Sequence, residues 1–406
     1  MGYDVVGLRQ HFPQLRGGAA HFDGPGGTQV PDVVADAVRD TLLSPLANRG
    51  RVTAAERTAD DVVTGARSAM ADLLGVDPQT VVFGRSMTQL TYDAARTLAQ
   101  DWGPGDEVVV TRLDHDANIR PWVHAAESAG ATVRWVGFDP ATGELTADDV
   151  AAQLSERTRL VAVTGASNLI GTRPPLAAIG AAVHAAGALF AVDGVHLTAH
   201  APVDVAATGA DLYACSPYKF LGPHCGVLTG RAELLARMHP AKLLPSTDAV
   251  PERFELGTLP YELLAGTTAA VDLLASLGPA QPPGDATDRR ARLLASMSAV
   301  EEHEDALRLR LEQDLAALPG VTLWSRAAHR TPTLLLTFDG RDAADAYRWL
   351  ADRGVNAPAG SFYALEASRW LGLGDTGGLR AGLAPYTDDD DVDRLLDGLR
   401  TFLTSP

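Results

Sequence analysis

The sequence predicts an α/β protein: a large unit built on a mostly parallel sheet covered by helices, followed by a smaller α+β unit. Three observations carry this. Short β-branched or aromatic runs alternate with helical patterns through the middle of the chain. A Pro/Gly-rich stretch at 278–284 interrupts the alternation. Beyond it, one long helical pattern leads into strands and helices in mixed order. A chain of 406 residues is also too long for one simple core. The expected division is a large unit over 17–281 and a small one over 282–406, with segment 1–16 packing on the small unit.

Taken in order, the expected strands of the large unit are 80–83, 107–111, 132–137, 160–164, 189–192 and 211–214. Most are closed by Gly, Asp or Asn. Helical spacing fills the gaps at 59–74, 88–100, 120–129 and 176–186. Such alternation gives parallel strands with both faces covered, and ligands of such sheets sit at the carboxyl ends of the strands. In the small unit a helix is expected over 289–318, strands at 331–338 and 378–383, and helices at 342–353 and 390–403. The acidic run Asp388 to Asp391 reads as the capped, dipole-favoured start of that last helix.

The net charge is −17 with no basic tract to offset it, which excludes a nucleic-acid partner and disfavours anionic membranes. The first ten residues lack the charged-then-apolar layout of a signal peptide, and Gly2 is not followed by a myristoylation pattern. The apolar stretch 176–192 contains His184 and Gly187 and reads as helix, turn and strand, not as a membrane span. Two cysteines and no CxxC pair give neither a disulfide framework nor a zinc site, so a reducing cytoplasm is expected. His196 and His200 are spaced as a metal pair on a helix would be, but no third ligand stands at a suggestive distance, and no metal is expected.

Three segments carry candidate chemistry. In Ser216-Pro217-Tyr218-Lys219, a rare lysine follows a predicted buried strand. Alone it reads first as a surface-loop lysine; desolvated, its amine would be neutral enough to form an imine. Asp193 ends an apolar run at the expected carboxyl end of a strand. It caps the next turn or, together with Lys219, supplies what pyridoxal phosphate (PLP) needs: a carboxylate that keeps the pyridine nitrogen protonated. The segment Gly84-Arg85-Ser86-Met87-Thr88 follows a strand and opens a helix, so its free N–H groups suit a phosphate, although an ordinary capped helix would look the same. It is neither a Walker loop nor a GxGxxG turn.

In this order the segments resemble the class V aminotransferase family, specifically its cysteine-desulfurase-like branch, over almost the whole chain. Leu113-Asp114-His115-Asp116-Ala117-Asn118 with Pro121-Trp122 is similar to that branch's E-H-H-A-N-x-x-P-W segment. The resemblance implies that His115 stacks on the cofactor ring. Ser167-Asn168 with Gly171-Thr172 resembles S-N-x-x-G-T, which puts Asn168 beside ring and substrate. Asp193 matches the pyridine-nitrogen aspartate, and His196 stands where the family has Gln or His near the ring hydroxyl. Ser216 and Lys219 match S-x-H-K, with Tyr218 in place of the usual His. Ser86, Met87 and Thr88 are the residues expected to take the phosphate. Phe254-Glu255 with Gly257-Thr258 resembles F-E-x-G-T, whose Gly and Thr reach a neighbouring subunit's phosphate. Arg380 resembles the arginine that grips the substrate α-carboxylate, a task suited to a bidentate guanidinium. Arg49 and Tyr363 are further candidates for the substrate pocket, together with Asp23 and Arg120.

The resemblance thus implies a type I PLP fold, a homodimer with shared active sites, and an amino-acid substrate. Lys219 carries PLP as a Schiff base and, with His115, is the expected catalytic pair. One feature departs from the branch: its desulfurases carry a nucleophilic cysteine on a small-domain loop, and the corresponding stretch here, 357–365, has none. Carbon–sulfur cleavage by β-elimination on cysteine, cystine or a cysteine conjugate needs no such cysteine and is the leading expectation. An aminotransferase or epimerase of specialised metabolism is the alternative. A catalytically silent scaffold or sulfur-relay partner comes last, because Lys219, Asp193, His115 and Arg380 are all retained.

Overall fold

The computed structural model describes residues 3–278 and 288–405. The 278–284 stretch expected as a boundary therefore lies, apart from Gly278, outside the described residues. In chain order the strands are β1 (Ala20–His21), β2 (Val82–Gly84), β3 (Glu107–Thr111), β4 (Thr132–Val136), β5 (Thr158–Thr164), β6 (Leu189–Asp193), β7 (Leu212–Cys215) and β8 (Gly226–Gly230). They continue with β9 (Val321–Leu323), β10 (Thr333–Phe338), β11 (Val355–Asn356), β12 (Ala359–Gly360) and β13 (Gly378–Gly382).

Seven strands form the central sheet in the order β2-β8-β7-β6-β5-β3-β4. All run parallel except β8, which is antiparallel to both neighbours. The exception has a simple cause. Only residues 216–225 separate β7 from β8, and a parallel connection needs a crossover of a dozen or more residues. Val108, Val109 and Val110 on β3 and Val161, Ala162 and Val163 on β5 are completely buried, as strands covered on both faces must be. One face packs on helices Ala54–Leu74 and Tyr261–Leu274, the other on Met87–Leu98 and Arg120–Ala129.

The helix over 54–74 opens earlier than expected because Thr53 and Glu56 form a reciprocal capping box. The first sheet strand begins two residues later than expected, because Pro78–Thr80 form a short 3₁₀ turn capped by Asp77. Helices Asp32–Leu43 and Tyr261–Leu274 were not anticipated from the sequence pattern.

The C-terminal part carries a four-stranded antiparallel sheet, β12-β13-β10-β9, covered by helices Arg289–Ala316, Ala343–Ala351 and Asp389–Thr404. Asp388 and Asp391 form the capping box of the last helix. Both also bind Arg9, at 3.0 and 2.6 Å, so the N-terminal arm is pinned to the start of that helix. The pairing of β1 with β11 and a bridge between Asp23 and Gly382 attach residues 20–23 to this part as well. The chain then crosses to the carboxyl ends of the central strands. Among the described residues no helix is long and apolar enough to cross a membrane.

Candidate active site

The carboxyl ends of β2, β3, β5, β6 and β7 converge on one cavity. Ser86, Met87, Thr88, His115, Asn168, Asp193, His196, Ser216, Tyr218 and Lys219 line it together. Sequence positions spread over more than a hundred residues meet there because parallel strands deliver every following loop to the same edge.

Lys219 ends a 3₁₀ turn begun by Pro217, immediately after β7. Its Nζ donates to the carbonyl of Pro25 at 2.5 Å and lies 4.7 Å from the Tyr218 ring centre. Burial, reinforced by the positive charge of Arg380, lowers the amine from its ordinary 10.5 to about 7; Asp193 opposes the shift. The turn is held by Thr28, whose N–H donates to the Tyr218 carbonyl at 3.0 Å and whose hydroxyl accepts from Leu221 N at 2.9 Å. Tyr218 stacks on His224 with centroids 4.8 Å apart.

Asp193 closes β6. One carboxylate oxygen accepts from Val195 N at 2.9 Å, and burial pushes the group up to about 6. The turn requires Gly194: a Cβ there would overlap the Tyr213 ring, which hydrogen-bonds Thr198 at 2.8 Å. No cationic side chain among the described residues lies within ion-pair distance of Asp193.

His115 is fixed from two sides. Ala117 N donates to its Nδ1 at 3.0 Å, so the proton of the neutral ring sits on Nε2. Burial, then the charges of Lys219 and Arg380, push the ring down to about 4, so it is neutral at pH 7. Below it, Asn118 donates to Asp114 at 2.6 Å and accepts from the Trp122 indole at 3.1 Å. His196 is also held neutral, chiefly by burial. Its Nε2 lies 2.9 and 3.0 Å from the hydroxyls of Thr333 and Thr331, which come from the C-terminal part.

Ser86 caps helix Met87–Leu98 by accepting from Gln89 N at 3.1 Å, which leaves the first N–H groups of that turn for a ligand. Gly226 of β8 presses on this turn: a Cβ there would stand 2.4 Å from Met87 N.

Arg380 reaches the site from β13. It is almost fully buried, donates to the Asn168 carbonyl at 2.9 Å and lies 3.7 Å over the Phe362 ring. Its Nε has no partner, and among the described residues no carboxylate lies within ion-pair reach. Burial lowers it to about 9. A buried guanidinium in this state is suited to an incoming carboxylate. Asn168 donates from Nδ2 to the Phe362 carbonyl at 2.9 Å, and its Oδ1 is buried without a partner. Tyr363 lies at the mouth, with its ring 5.5 Å from that of His115.

Four expected residues do not line this chain's cavity; one of them, Asp23, is bridged to Gly382 of β13 instead. Arg49 is held 2.8 Å from Asp60 and 3.0 Å from Glu252, which occupy its guanidinium. Gly257 and Thr258 sit on an exposed loop. That loop is anchored by Glu255, which binds buried Arg67 through both oxygens at 2.9 Å and accepts from Phe83 N at 2.9 Å. Pro25, Thr28, Phe362, Thr331 and Thr333 also shape the site without belonging to any of the sequence motifs. The run Gly24-Pro25-Gly26-Gly27 was a signal for the first two, since such a run marks a chain making a close backbone approach.

The model of the family described as "Aminotransferase class-V" matches residues 20–395. The chain belongs to the class V aminotransferase family. It is 33% identical to "Uncharacterized protein MT3887" of Mycobacterium tuberculosis, covering 99% of this chain and 100% of that protein. It is 32% identical to a cysteine desulfurase of Dickeya dadantii, covering 98% and 96%. Among solved structures, the cysteine desulfurase CsdA of Escherichia coli, in an S-sulfonic acid form, superposes with a TM-score of 0.85. That match has 28% identity and covers 98% of each chain. The fold is that of the PLP-dependent type I enzymes, the protein is a PLP-dependent enzyme of the cysteine-desulfurase-like group, and its cofactor is pyridoxal phosphate. The cavity fits that group: a buried carboxylate lacking a cation, a near-neutral lysine and a free helix start stand around one space.

Proposed function

We propose that this protein cleaves the carbon–sulfur bond of a cysteine-type α-amino acid by β-elimination. The carrying observation is a buried, near-neutral Lys219 amine in a chain whose only two thiols, Cys215 and Cys225, are both sealed in the core. Burial pushes both thiols up, Cys225 to about 11, so neither is a thiolate poised to take sulfur from a substrate.

When bound, PLP supplies an electron sink that acidifies the substrate α-carbon. Lys219 anchors the cofactor through its amine and receives the α-proton at Nζ. Asp193 would keep the pyridine nitrogen protonated, His115 would cover one ring face as a neutral ring, and His196 would face the ring hydroxyl. Ser86, Met87 and Thr88 would hold the phosphate at the free helix start. Gly257 and Thr258, exposed on their anchored loop, would reach the phosphate of a second copy in a homodimer. Arg380 grips the α-carboxylate and Asn168 orients it. Overall, the conjugate and one water yield a thiol, pyruvate and ammonium, with no change of oxidation state to balance.

The test is to incubate purified holoenzyme with cysteine, cystine and several S-substituted cysteines, assaying pyruvate, ammonium and thiol. Stoichiometric pyruvate and thiol are expected from at least one. No pyruvate from any of them overturns the proposal. A 2-oxo acid that keeps the substrate side chain would reassign the enzyme as an aminotransferase, and inversion with solvent-deuterium uptake as an epimerase.

A further inference from the structure

Around Lys219, Asn168 and Arg380 the cavity widens into an outer chamber of about 680 Å³ that runs out to Tyr92 and Tyr363. That lies within the ~300–1,000 Å³ range of pockets that hold drug-sized ligands, so it leaves room for more than cysteine itself. The far wall is made of Tyr92, Asp116, Arg120, His124 and Tyr363. Its charges are already spent: Arg120 lies 2.9 Å from Asp116 and 2.6 Å from Glu366. What remains is ring surface with polar edges. The Tyr92 hydroxyl meets His124 Nδ1 at 3.3 Å, and Tyr363 leans on His115 at 31°.

Tyr363 itself is unusual. The residue is 77% exposed, so it fills no core. Yet it and Phe362 both adopt left-handed backbone angles, φ 58° and 52°, which bulky residues avoid. Three contacts hold the strained pair in place. The Tyr363 carbonyl accepts from Asp116 N at 2.7 Å, the Phe362 carbonyl accepts from Asn168, and the Phe362 ring lies under Arg380. The strain thus turns one ring inward to the carboxylate clamp and leaves the other standing at the mouth.

We propose that the outer chamber is the subsite for the sulfur substituent of a cysteine S-conjugate, and that this substituent is an aromatic ring packed against Tyr363. The inference rests on the β-elimination reading and narrows its substrate class. Ring surface beside an ion-paired arginine recognises a flat apolar group through stacking and edge contacts. The wall's arginine, Arg120, is already paired with Asp116 and Glu366, which leaves little positive charge for an acidic substituent.

The experiment measures two things on holoenzyme with cysteine, S-methylcysteine and S-benzylcysteine: pyruvate formation, and binding by perturbation of the cofactor's visible absorption. S-Benzylcysteine is expected to exceed S-methylcysteine by about tenfold or more in kcat/KM. Tyr363→Ala should cost roughly 5–10-fold on S-benzylcysteine and less than about twofold on S-methylcysteine, and Tyr363→Phe should restore most of the loss. Pyruvate from all three amino acids without preference, or equal losses in Tyr363→Ala, overturns the subsite and leaves the elimination standing. Tight S-benzylcysteine binding that Tyr363→Ala abolishes, without pyruvate from any compound, supports the subsite and overturns the elimination. Neither binding nor pyruvate overturns both.

Discussion

The amine of Lys219 is the group on which the proposed chemistry turns, and its titration in the cofactor-free protein tests the site directly. At an ordinary pKa of 10.5, only roughly 0.03% of a lysine is neutral at pH 7. At about 7, half of Lys219 is neutral, a gain in the reactive fraction of on the order of a thousandfold. The assay is the rate at which apoprotein captures pyridoxal phosphate, followed by absorbance from pH 5.5 to 10. Borohydride reduction and peptide mapping would then locate the adduct. The expected profile rises with a midpoint near 7 and labels Lys219. The causes predict how it moves. Removing the Arg380 charge, as in Arg380→Gln, takes away a repulsive neighbour and shifts the midpoint up. Asp193→Asn takes away an attractive one and shifts it down. A midpoint near 10, or one that neither substitution moves, would refute the account of a desolvated amine. Linkage adds a second readout. The folded apoprotein binds fewer protons than the unfolded chain between pH 7 and 10.5, so this lysine makes stability rise with pH across that window. Lys219→Met should remove the rise.

Three further outcomes follow from the geometry. Glu255→Ala strands the buried Arg67 guanidinium without its bidentate partner, a loss of about 3–5 kcal/mol, visible as a lowered midpoint in thermal unfolding; an unchanged midpoint would contradict the anchoring role given to that pair. Asp193, pushed up to about 6, holds a proton in the folded apoprotein that the unfolded chain has lost. Relative to Asp193→Asn, wild-type apoprotein should therefore lose stability as pH rises from 4 to 6, by on the order of 3 kcal/mol in urea titrations, and parallel curves for the two proteins would count against it. The double variant Cys215→Ala, Cys225→Ser should retain turnover within about twofold, and a thiol reagent should leave native protein unlabelled while modifying both cysteines after denaturation; loss of turnover without loss of fold would return a thiol to the mechanism.

Much of this was legible in the sequence, for reasons particular residues make plain. The runs at 107–111 and 120–129 are the observed strand and helix, because each carries one unambiguous period and a clean stop: Arg112 after the valines, Gly130 after the helix. Asp193 and Lys219 were legible because a parallel sheet puts every strand's carboxyl end at the same edge, so a polar residue at such an end is already near the others. What escaped has a different origin. β8 is antiparallel because of the length of the connection that carries Lys219, not because of its own residues. Arg49 looked available until Asp60 and Glu252 closed on it from two other elements. Thr331 and Thr333 lie more than 130 positions from His196, and no local pattern announces that their hydroxyls will hold its ring.

The loop over 357–365 shows where the two kinds of information meet. The sequence says only what is missing there, a cysteine. The structure shows what stands in its place: two aromatic residues in left-handed backbone, one under Arg380 and one beside His115. A side chain that merely filled a gap would not need that conformation, and an exposed ring gains nothing from burial to offset its cost. The offset comes from hydrogen bonds that Asn168 and Asp116, both on loops at the carboxyl ends of the sheet, give to this loop's carbonyls. The same loops that assemble the cofactor cavity therefore hold the ring at its entrance. A substitution at Tyr363 should accordingly be read in substrate preference before it is read in stability.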